Sequence, residues 1–250
     1  MPVDYIIVIP AFNEEAYLPA TIQSAREAMA ALPDHDGKLV VVDNNSTDRT
    51  SDVAREQGAD LVAFEPVNQI SRTRNTGARA AADAFEELRF LVFLDADTQL
   101  PPDLLRQAIE LLESQTVCAG GAVTEADGPL PFYVEWLLAF WNWWAGTLGL
   151  AAGSFVFCLR EGFEAVGGFD EKVFAGEEVW LSKNLKRWGK KRGLKFRVLT
   201  DPPIVTSGRK GEWFSAWDFA GQLLVLFLFP WAQRSRRLCR MWYRRPESSS

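Results

Sequence analysis

The chain has 250 residues, 48% of them hydrophobic, a size and apolar content that exclude wholesale disorder and suit one large domain. The only histidine, His35, lies in a Pro-Asp-His-Asp-Gly loop, which argues against a histidine base and a multi-histidine metal site, and Cys118, Cys158 and Cys239 lack metal-ligand spacing and read as reduced thiols. The formal charge of −6 is uneven: residues 220–250 carry a net +5 on a body of −11, so the basic end is either a solvated tail or a surface for phosphates such as those of anionic lipid.

No secretory signal is expected, because Asp4 interrupts the first apolar run and no basic stretch precedes it. Tyr5-Ile6-Ile7-Val8-Ile9 reads as a β-branched strand closed by Pro10. Pro10-Ala11-Phe12-Asn13-Glu14-Glu15 then leads into a helix with Leu18, Ile22, Ala25, Met29 and Leu32 on one buried face. Residues 38–42 form a second strand ending in Asp43-Asn44-Asn45-Ser46-Thr47-Asp48, where Ser46, Thr47 and Asp48 are plausible N-caps. Strand, polar turn and helix, twice over, predict an α/β fold with a parallel sheet, whose ligands gather beyond the carboxyl ends of the strands.

A short strand is expected over 60–64. Ser71-Arg72-Thr73-Arg74-Asn75-Thr76-Gly77 then opens an Ala-rich helix to about Glu87, with Arg72 and Arg74 either at an anion site or in a solvated first turn. Neither a dinucleotide-binding glycine fingerprint nor a P-loop occurs, so a nucleotide here would be held by carboxylates, a metal and Arg. The apolar run Phe90-Leu91-Val92-Phe93-Leu94 predicts a buried strand that stops abruptly at Asp95-Ala96-Asp97-Thr98-Gln99 and Pro101-Pro102. On a continuing strand Asp95 and Asp97 would share a face and one cation, and with Gln99 they suit Mg²⁺ or Mn²⁺. The alternative is that they cap the next turn and helix. Asp43, Asp95 and Asp97 fall at one sheet edge, which favours a ligand site.

The second half begins with a helix carrying Leu104, Leu105, Ala108, Ile109 and Leu112, then a strand over 117–123. From Trp136 to Cys158 there are 23 uncharged residues, long enough to cross a bilayer, but Gly and polar residues interrupt them. A Trp-rich helix at 136–147 and a buried strand at 154–159 fit better, the helix being either core or in contact with a membrane or apolar acceptor. Glu177-Glu178 starts a helix carrying Val179, Leu181 and Leu185. From Lys183 to Arg197 eight basic residues meet no acidic one, as a solvated helix face or a surface for anionic lipid. Residues 219–231 are apolar but too short to span, and with the arginines that follow they suit a monotopic anchor over 219–245.

Several of these segments carry a resemblance. Pro10-Ala11-Phe12-Asn13-Glu14-Glu15, Asp43-Asn44-Asn45-Ser46-Thr47-Asp48, Arg74-Asn75-Thr76-Gly77 and Asp95-Ala96-Asp97 stand in the order seen in family 2 glycosyltransferases. Val166-Gly167-Gly168-Phe169-Asp170-Glu171 and Gly176-Glu177-Glu178-Val179 resemble that family's acceptor-side block. The resemblance covers about 3–210. It implies a GT-A fold: α/β, Rossmann-like, a mostly parallel central sheet with helices on both faces. One domain, 1–218, would comprise a nucleotide-sugar half (1–99) and an acceptor half (100–218), with 219–250 a membrane-associating segment.

The resemblance also implies roles. Pro10, Ala11, Phe12 and Glu14 would line the base and ribose pocket, Asp43 would meet the base, and Arg74 would lie near the diphosphate. Asp95 and Asp97 would hold Mg²⁺ or Mn²⁺ against it, with Ala96 between them part of the donor site, and Gln99 extends the motif to the Asp-x-Asp-x-Gln of dolichol-phosphate-mannose synthase-like members as a third metal ligand. Glu178, beside Glu177, stands where the family's general base is usually Asp. Arg209 and Lys210 match a turn near the diphosphate. The implied enzyme is an inverting, metal-dependent glycosyltransferase using a UDP- or GDP-sugar and a hydroxyl or phosphate acceptor, lipid-linked or apolar. The absence of a Gln-x-x-Arg-Trp motif argues for single-sugar transfer. It would be cytoplasmic, peripheral on the inner face of the cell membrane, with no nucleic-acid partner. The alternatives are a sugar-phosphate nucleotidyltransferase, or a degenerate member that binds nucleotide without turnover.

Overall fold

The computed structural model describes residues 3–128, 130–151, 153–209, 221, 230–239 and 243. Its eight strands are β1 (Tyr5–Ala11), β2 (Gly37–Asp43), β3 (Leu61–Phe64), β4 (Phe90–Leu94), β5 (Thr98–Gln99), β6 (Val117–Ala126), β7 (Phe155–Leu159) and β8 (Lys195–Thr206). Among the described residues seven α-helices are interleaved: α1 (Leu18–Ala30), α2 (Thr50–Glu56), α3 (Ile70–Ala84), α4 (Pro102–Glu113), α5 (Phe132–Leu148), α6 (Arg160–Val166) and α7 (Glu177–Lys190). The strands form one sheet in the order β3-β2-β1-β4-β7-β6-β8-β5.

The first half is parallel, as the repeated strand–turn–helix pattern predicts: β1 pairs in parallel with β2 and β4, and β2 with β3. Beyond β4 the sheet is mixed. β7 is antiparallel to β4 and to β6, β5 is antiparallel to β8, and β6 is parallel to β8. The alternation of strand side chains sorts the core into two layers. Tyr5, Ile7 and Ile9 pack with Leu18 and Ile22 of α1, Val53 of α2 and Leu104 of α4. Ile6 and Val8 pack on the other face with Ala78 and Ala81 of α3, Phe163 of α6, and Leu181 and Leu185 of α7.

Gly77 shows why α3 lies so close to the sheet. A Cβ there would sit 2.4 Å from a Val8 methyl and 2.8 Å from one of Val42, so only glycine fits between helix and strands. Some boundaries differ from the sequence reading. β1 includes Pro10 and runs to Ala11, α5 starts at Phe132, α6 was not anticipated, and β8 extends through Pro202-Pro203. No helix among the described residues is long and apolar enough to cross a membrane. Most of 219–250, including the apolar run expected as an anchor, lies outside the described residues. The part that is described packs near the start of α7: Phe174 N donates to Gln233 O (2.7 Å), Trp180 Nε1 donates to Gln233 Oε1 (2.8 Å), and Ala232 and Cys239 are buried.

Candidate active site

Two loops at the carboxyl edge of the sheet are laced together by short polar side chains. After β1 the chain turns at Asn13, in the left-handed region at φ 51°. Asn13 N donates to Ser46 Oγ (3.0 Å), Glu14 N to Thr50 Oγ1 (2.8 Å), and Asn13 Oδ1 accepts from Thr47 N (2.8 Å). Asp43, buried at the end of β2, accepts from Ser46 N (2.9 Å). The N-cap of α2 is Arg49, with no side-chain cap bond, so Ser46 and Thr47 fasten the loop after β2 to the loop after β1 instead of capping that helix. Pro10 and Ala11 are buried, and Phe12 is half-buried.

The acidic turn is built differently from a continuing strand. β4 stops at Leu94, and Asp95 and Asp97 lie in the turn before β5, so the pleat does not align them as the spacing alone suggested. Neither caps the next helix: the N-cap of α4 is Pro101. The turn is pinned from behind, because the buried Ala96 offers its carbonyl to Thr21 Oγ1 (2.8 Å) and Asp95 N donates to Ser154 O (3.2 Å). Thr98 points inward to Thr206 Oγ1 (3.0 Å), and Gln99, opposite Val205, is exposed.

Each aspartate of this turn is held by one arginine. Arg74, 1% exposed on α3, donates from Nη2 to Asp95 Oδ1 (2.7 Å) and Gly153 O (2.7 Å), and from Nη1 to Glu177 Oε1 (2.8 Å). The ring of Phe169 lies 5.1 Å from its guanidinium carbon. Burial opposes the charge on Arg74, yet Asp95, Glu177 and Glu178 hold its pKa above the ordinary arginine value. Arg209, in the turn after β8, forms a fork to Glu14 (Nη1 to Oε2, 2.8 Å; Nη2 to Oε1, 2.6 Å) and donates to Asp97 Oδ2 (2.7 Å). Tyr17 stacks beneath it at 4.5 Å. Lys210 lies outside the described residues. Arg72, expected beside Arg74, turns away to Glu65 (3.2 Å) and Glu171 (3.1 Å).

The segment 166–179 meets this site through α3. Asn75 donates to Phe169 O (2.9 Å) and accepts from Phe169 N (3.0 Å), while Gln69 Nε2 donates to Glu171 O (2.6 Å) and Val173 O (3.1 Å). Gly168 must be glycine: its φ is 71°, and a Cβ would lie 2.6 Å from Asn75 Oδ1. These bonds set Glu177 and Glu178 at the start of α7 beside Arg74. A Cβ placed on Gly153 would lie 3.7 Å from the Glu178 carboxyl carbon and 3.8 Å from Arg74 Nη2, so the three residues converge. Burial, and then the neighbouring Glu177 carboxylate, push the Glu178 carboxyl up to about 8, against the pull of Arg74. Glu177 itself is buried and tied to Arg74.

The donor set fits a hard divalent cation. Among the described residues Asp95 Oδ2 and Asp97 Oδ1 accept no hydrogen bond, so one carboxylate oxygen of each is left for a cation. No group of three or more His, Cys, Asp or Glu residues that could hold a metal occurs among the described residues. Two carboxylates with coordination positions left for water and phosphate oxygens are what Mg²⁺ and Mn²⁺ accept.

Tyr17 and Gly153 belong to the site and were not singled out from the sequence, and Phe169 was named only within the 166–171 motif, without a role beside Arg74. The contacts of Tyr17 to Arg209 and of Gly153 and Phe169 to Arg74 cross 192, 79 and 95 positions of chain, and no local pattern announces these partnerships.

Comparison with known proteins completes the site's description. The model of "Glycosyl transferase family 2" matches residues 6–166, which contain the loops after β1 and β2, Arg74 and the acidic turn. The undecaprenyl-phosphate 4-deoxy-4-formamido-L-arabinose transferase of Pseudomonas syringae pv. syringae is 34% identical over 116 residues, covering 45% of this chain and 34% of that protein. The dolichol-phosphate mannosyltransferase of Pyrococcus furiosus is 32% identical over 133 residues, 51% of this chain and 36% of its own length. The match thus spans about a third of these curated relatives. Among solved structures, the Pyrobaculum calidifontis mannosyltransferase PcManGT with GDP-Man and Mn²⁺ superimposes with a TM-score of 0.63 at 21% identity, over 96% of this chain and 65% of that one. The Mycobacterium tuberculosis glucosyl-3-phosphoglycerate synthase with Mn²⁺ and UDP gives 0.59 at 20% identity, over 98% and 82%. Both share the α/β domain with its mixed sheet flanked by helices. With more than half of its length matched by that model, the chain belongs to glycosyl transferase family 2.

Proposed function

We propose that this chain transfers a single sugar, with inversion, from a UDP- or GDP-sugar to a hydroxyl or phosphate group of a lipid-linked acceptor at the inner face of a membrane. The observation that carries the reading is the convergence of Asp95, Arg74, Glu177 and Glu178 beyond the carboxyl edge of the sheet, with Asp97 and Arg209 opposite. Ligands of open α/β sheets sit in that crevice. The lipid-linked acceptor draws support from relatives named for undecaprenyl-phosphate and dolichol-phosphate.

The residues divide the work. Pro10, Ala11, Phe12 and Asp43 form the wall on which the base and ribose rest. Asp95 and Asp97, with Gln99 from the exposed strand beyond, are the residues to hold Mg²⁺ or Mn²⁺; such a cation neutralises charge on a departing diphosphate. Glu178 takes the proton from the acceptor hydroxyl as its oxygen attacks the anomeric carbon and the bond to the diphosphate breaks, or lies against a phosphate acceptor already ionised. Arg74 is a positioning residue, because it is buried and reaches the crevice through Asp95 and Glu177. Arg209 is the cation that swings between Glu14 and Asp97 on one side and the donor's diphosphate on the other.

The test incubates the protein with a panel of nucleotide sugars and polyprenyl phosphates, with and without Mn²⁺, and measures nucleoside diphosphate and glycosylated lipid. Metal-dependent release from one donor is expected, lost in Asp97→Ala. No release or binding with any donor sinks the reading.

A further inference from the structure

Helix α5 carries a run of large aromatic side chains on the outside. Phe132, Trp136, Phe140 and Trp143 are 82%, 66%, 50% and 64% exposed. At 3.6 residues per turn these four fall within about a quarter of the helix circumference. Trp136 and Phe140 stack with ring planes 9° apart at 5.8 Å, and Phe140 meets Trp143 at 6.1 Å, so the stripe is a continuous aromatic surface.

The opposite side of α5 anchors the helix. Asn142 donates from Nδ2 to Thr124 O (2.8 Å) and accepts from Thr124 N (3.1 Å), and Ala145 is buried. The orientation is therefore set by the buried side, and the aromatic stripe is left facing out. An exposed patch of this kind marks an interaction site.

Its neighbourhood is cationic. Lys186 of α7 donates to Leu148 O, the last residue of α5. From that point Lys183, Lys186, Arg187 and Lys190 share one face of α7. Lys191, Arg192, Lys195 and Arg197 follow, and all eight except the half-buried Lys186 are exposed. No acidic residue interrupts positions 179–200. The overall charge is −6, so attraction to an anionic surface would be local to this side of the molecule.

We propose that the α5 aromatic stripe, with the basic face of α7 beside it, seats the protein on an anionic lipid bilayer. Trp and Phe side chains suit the boundary between headgroups and acyl chains, and Lys and Arg beside them meet lipid phosphates. A second copy fits less well: a two-fold contact through α5 would bring two basic faces together. The seat rests on the reading of a membrane-bound acceptor and adds to it the surface that brings the crevice to that membrane.

The experiment is flotation of the full chain with phosphatidylcholine vesicles, with or without about a quarter phosphatidylglycerol. The wild type is expected to float with the anionic vesicles and far less with the neutral ones. Trp136→Glu with Phe140→Glu should lower the bound fraction about tenfold, and Lys183→Glu with Arg187→Glu should remove the preference for anionic lipid. UDP and GDP binding should stay unchanged in both variants, since none of these residues lines the crevice. Undiminished flotation of the stripe variant overturns the seat. So does a wild-type dimer, seen by light scattering, that the stripe substitutions dissociate without any vesicle binding. The vesicles contain no acceptor, so the two ideas fail separately. Transfer only to water-soluble acceptors would sink the lipid-acceptor reading, and vesicle binding indifferent to the stripe would sink the seat alone.

Discussion

Arg74 and Glu177 form a buried ion pair, Nη1 to Oε1 at 2.8 Å, between residues 103 positions apart. Because the same guanidinium holds Asp95, one side chain fixes both the acidic turn and the start of α7, where Glu178 sits. Removing it would leave the buried Glu177 carboxylate uncompensated. Arg74→Ala should therefore destabilise the fold by about 3 kcal/mol, read from the urea midpoint. Arg74→Lys should recover little of this, because a single ammonium cannot serve three acceptors in the geometry of a fork.

Glu178→Gln separates binding from turnover. The amide keeps the shape of the side chain but cannot take a proton. With a hydroxyl acceptor, transfer should fall by about a thousandfold while equilibrium binding of the nucleoside diphosphate is retained. Equal transfer in the variant would move the base elsewhere.

The raised carboxyl of Glu178 predicts the pH profile. Below about 8 the group is mostly protonated and cannot act as base, so kcat/KM with a hydroxyl acceptor should climb as pH rises and level off above about 8. Glu177→Gln removes the neighbouring negative charge and should move that acid limb to lower pH. The move should be partial, since burial is the larger cause. A limb unmoved by the substitution would contradict the assignment.

Arg209 places a positive charge against Asp97. Arg209→Ala removes that competitor, so Mn²⁺ alone should bind several-fold more tightly, measured by titration calorimetry. Nucleotide-sugar affinity in the presence of Mn²⁺ should fall, because the diphosphate loses a cation. A variant whose metal affinity is unchanged would show that Arg209 does not contend for Asp97.

Gly77→Ala tests packing alone. The added methyl would drive into Val8 and Val42, and α3 must shift away from the sheet to admit it. A loss of about 2 kcal/mol is expected, and because α3 carries Arg74, activity should fall beyond what the lost stability explains.

The parallel half of the fold was legible in the sequence because it is locally written. Each strand there is a β-branched or aromatic run followed by a polar turn and a helical period, and β1, β2, β3 and β4 fall close to where those signals lie. The far half was not. β8 includes Pro202-Pro203, and β5 is only two residues long, defined by its pairing with Thr206 and Val205. α6 follows β7 directly, seven residues with no cap signal. In the site, the motif residues were visible but their partnerships were not. The spacing of Asp95 and Asp97 suggested a strand face, whereas a turn holds them, and nothing near Arg74 or Arg209 announces that Glu177 and Glu14 would neutralise them.

Arg209 reaches back across 195 positions to Glu14, and its turn is the last described segment before the apolar stretch. During synthesis, β1, α1 and the acidic turn leave the ribosome long before the residue that neutralises Glu14 and Asp97. A nascent chain halted before β8 therefore carries a core able to collapse but an acidic crevice without its closing charge. Completion of the crevice is in this sense a late event in the life of each molecule, timed by the arrival of the segment that leads to the basic end.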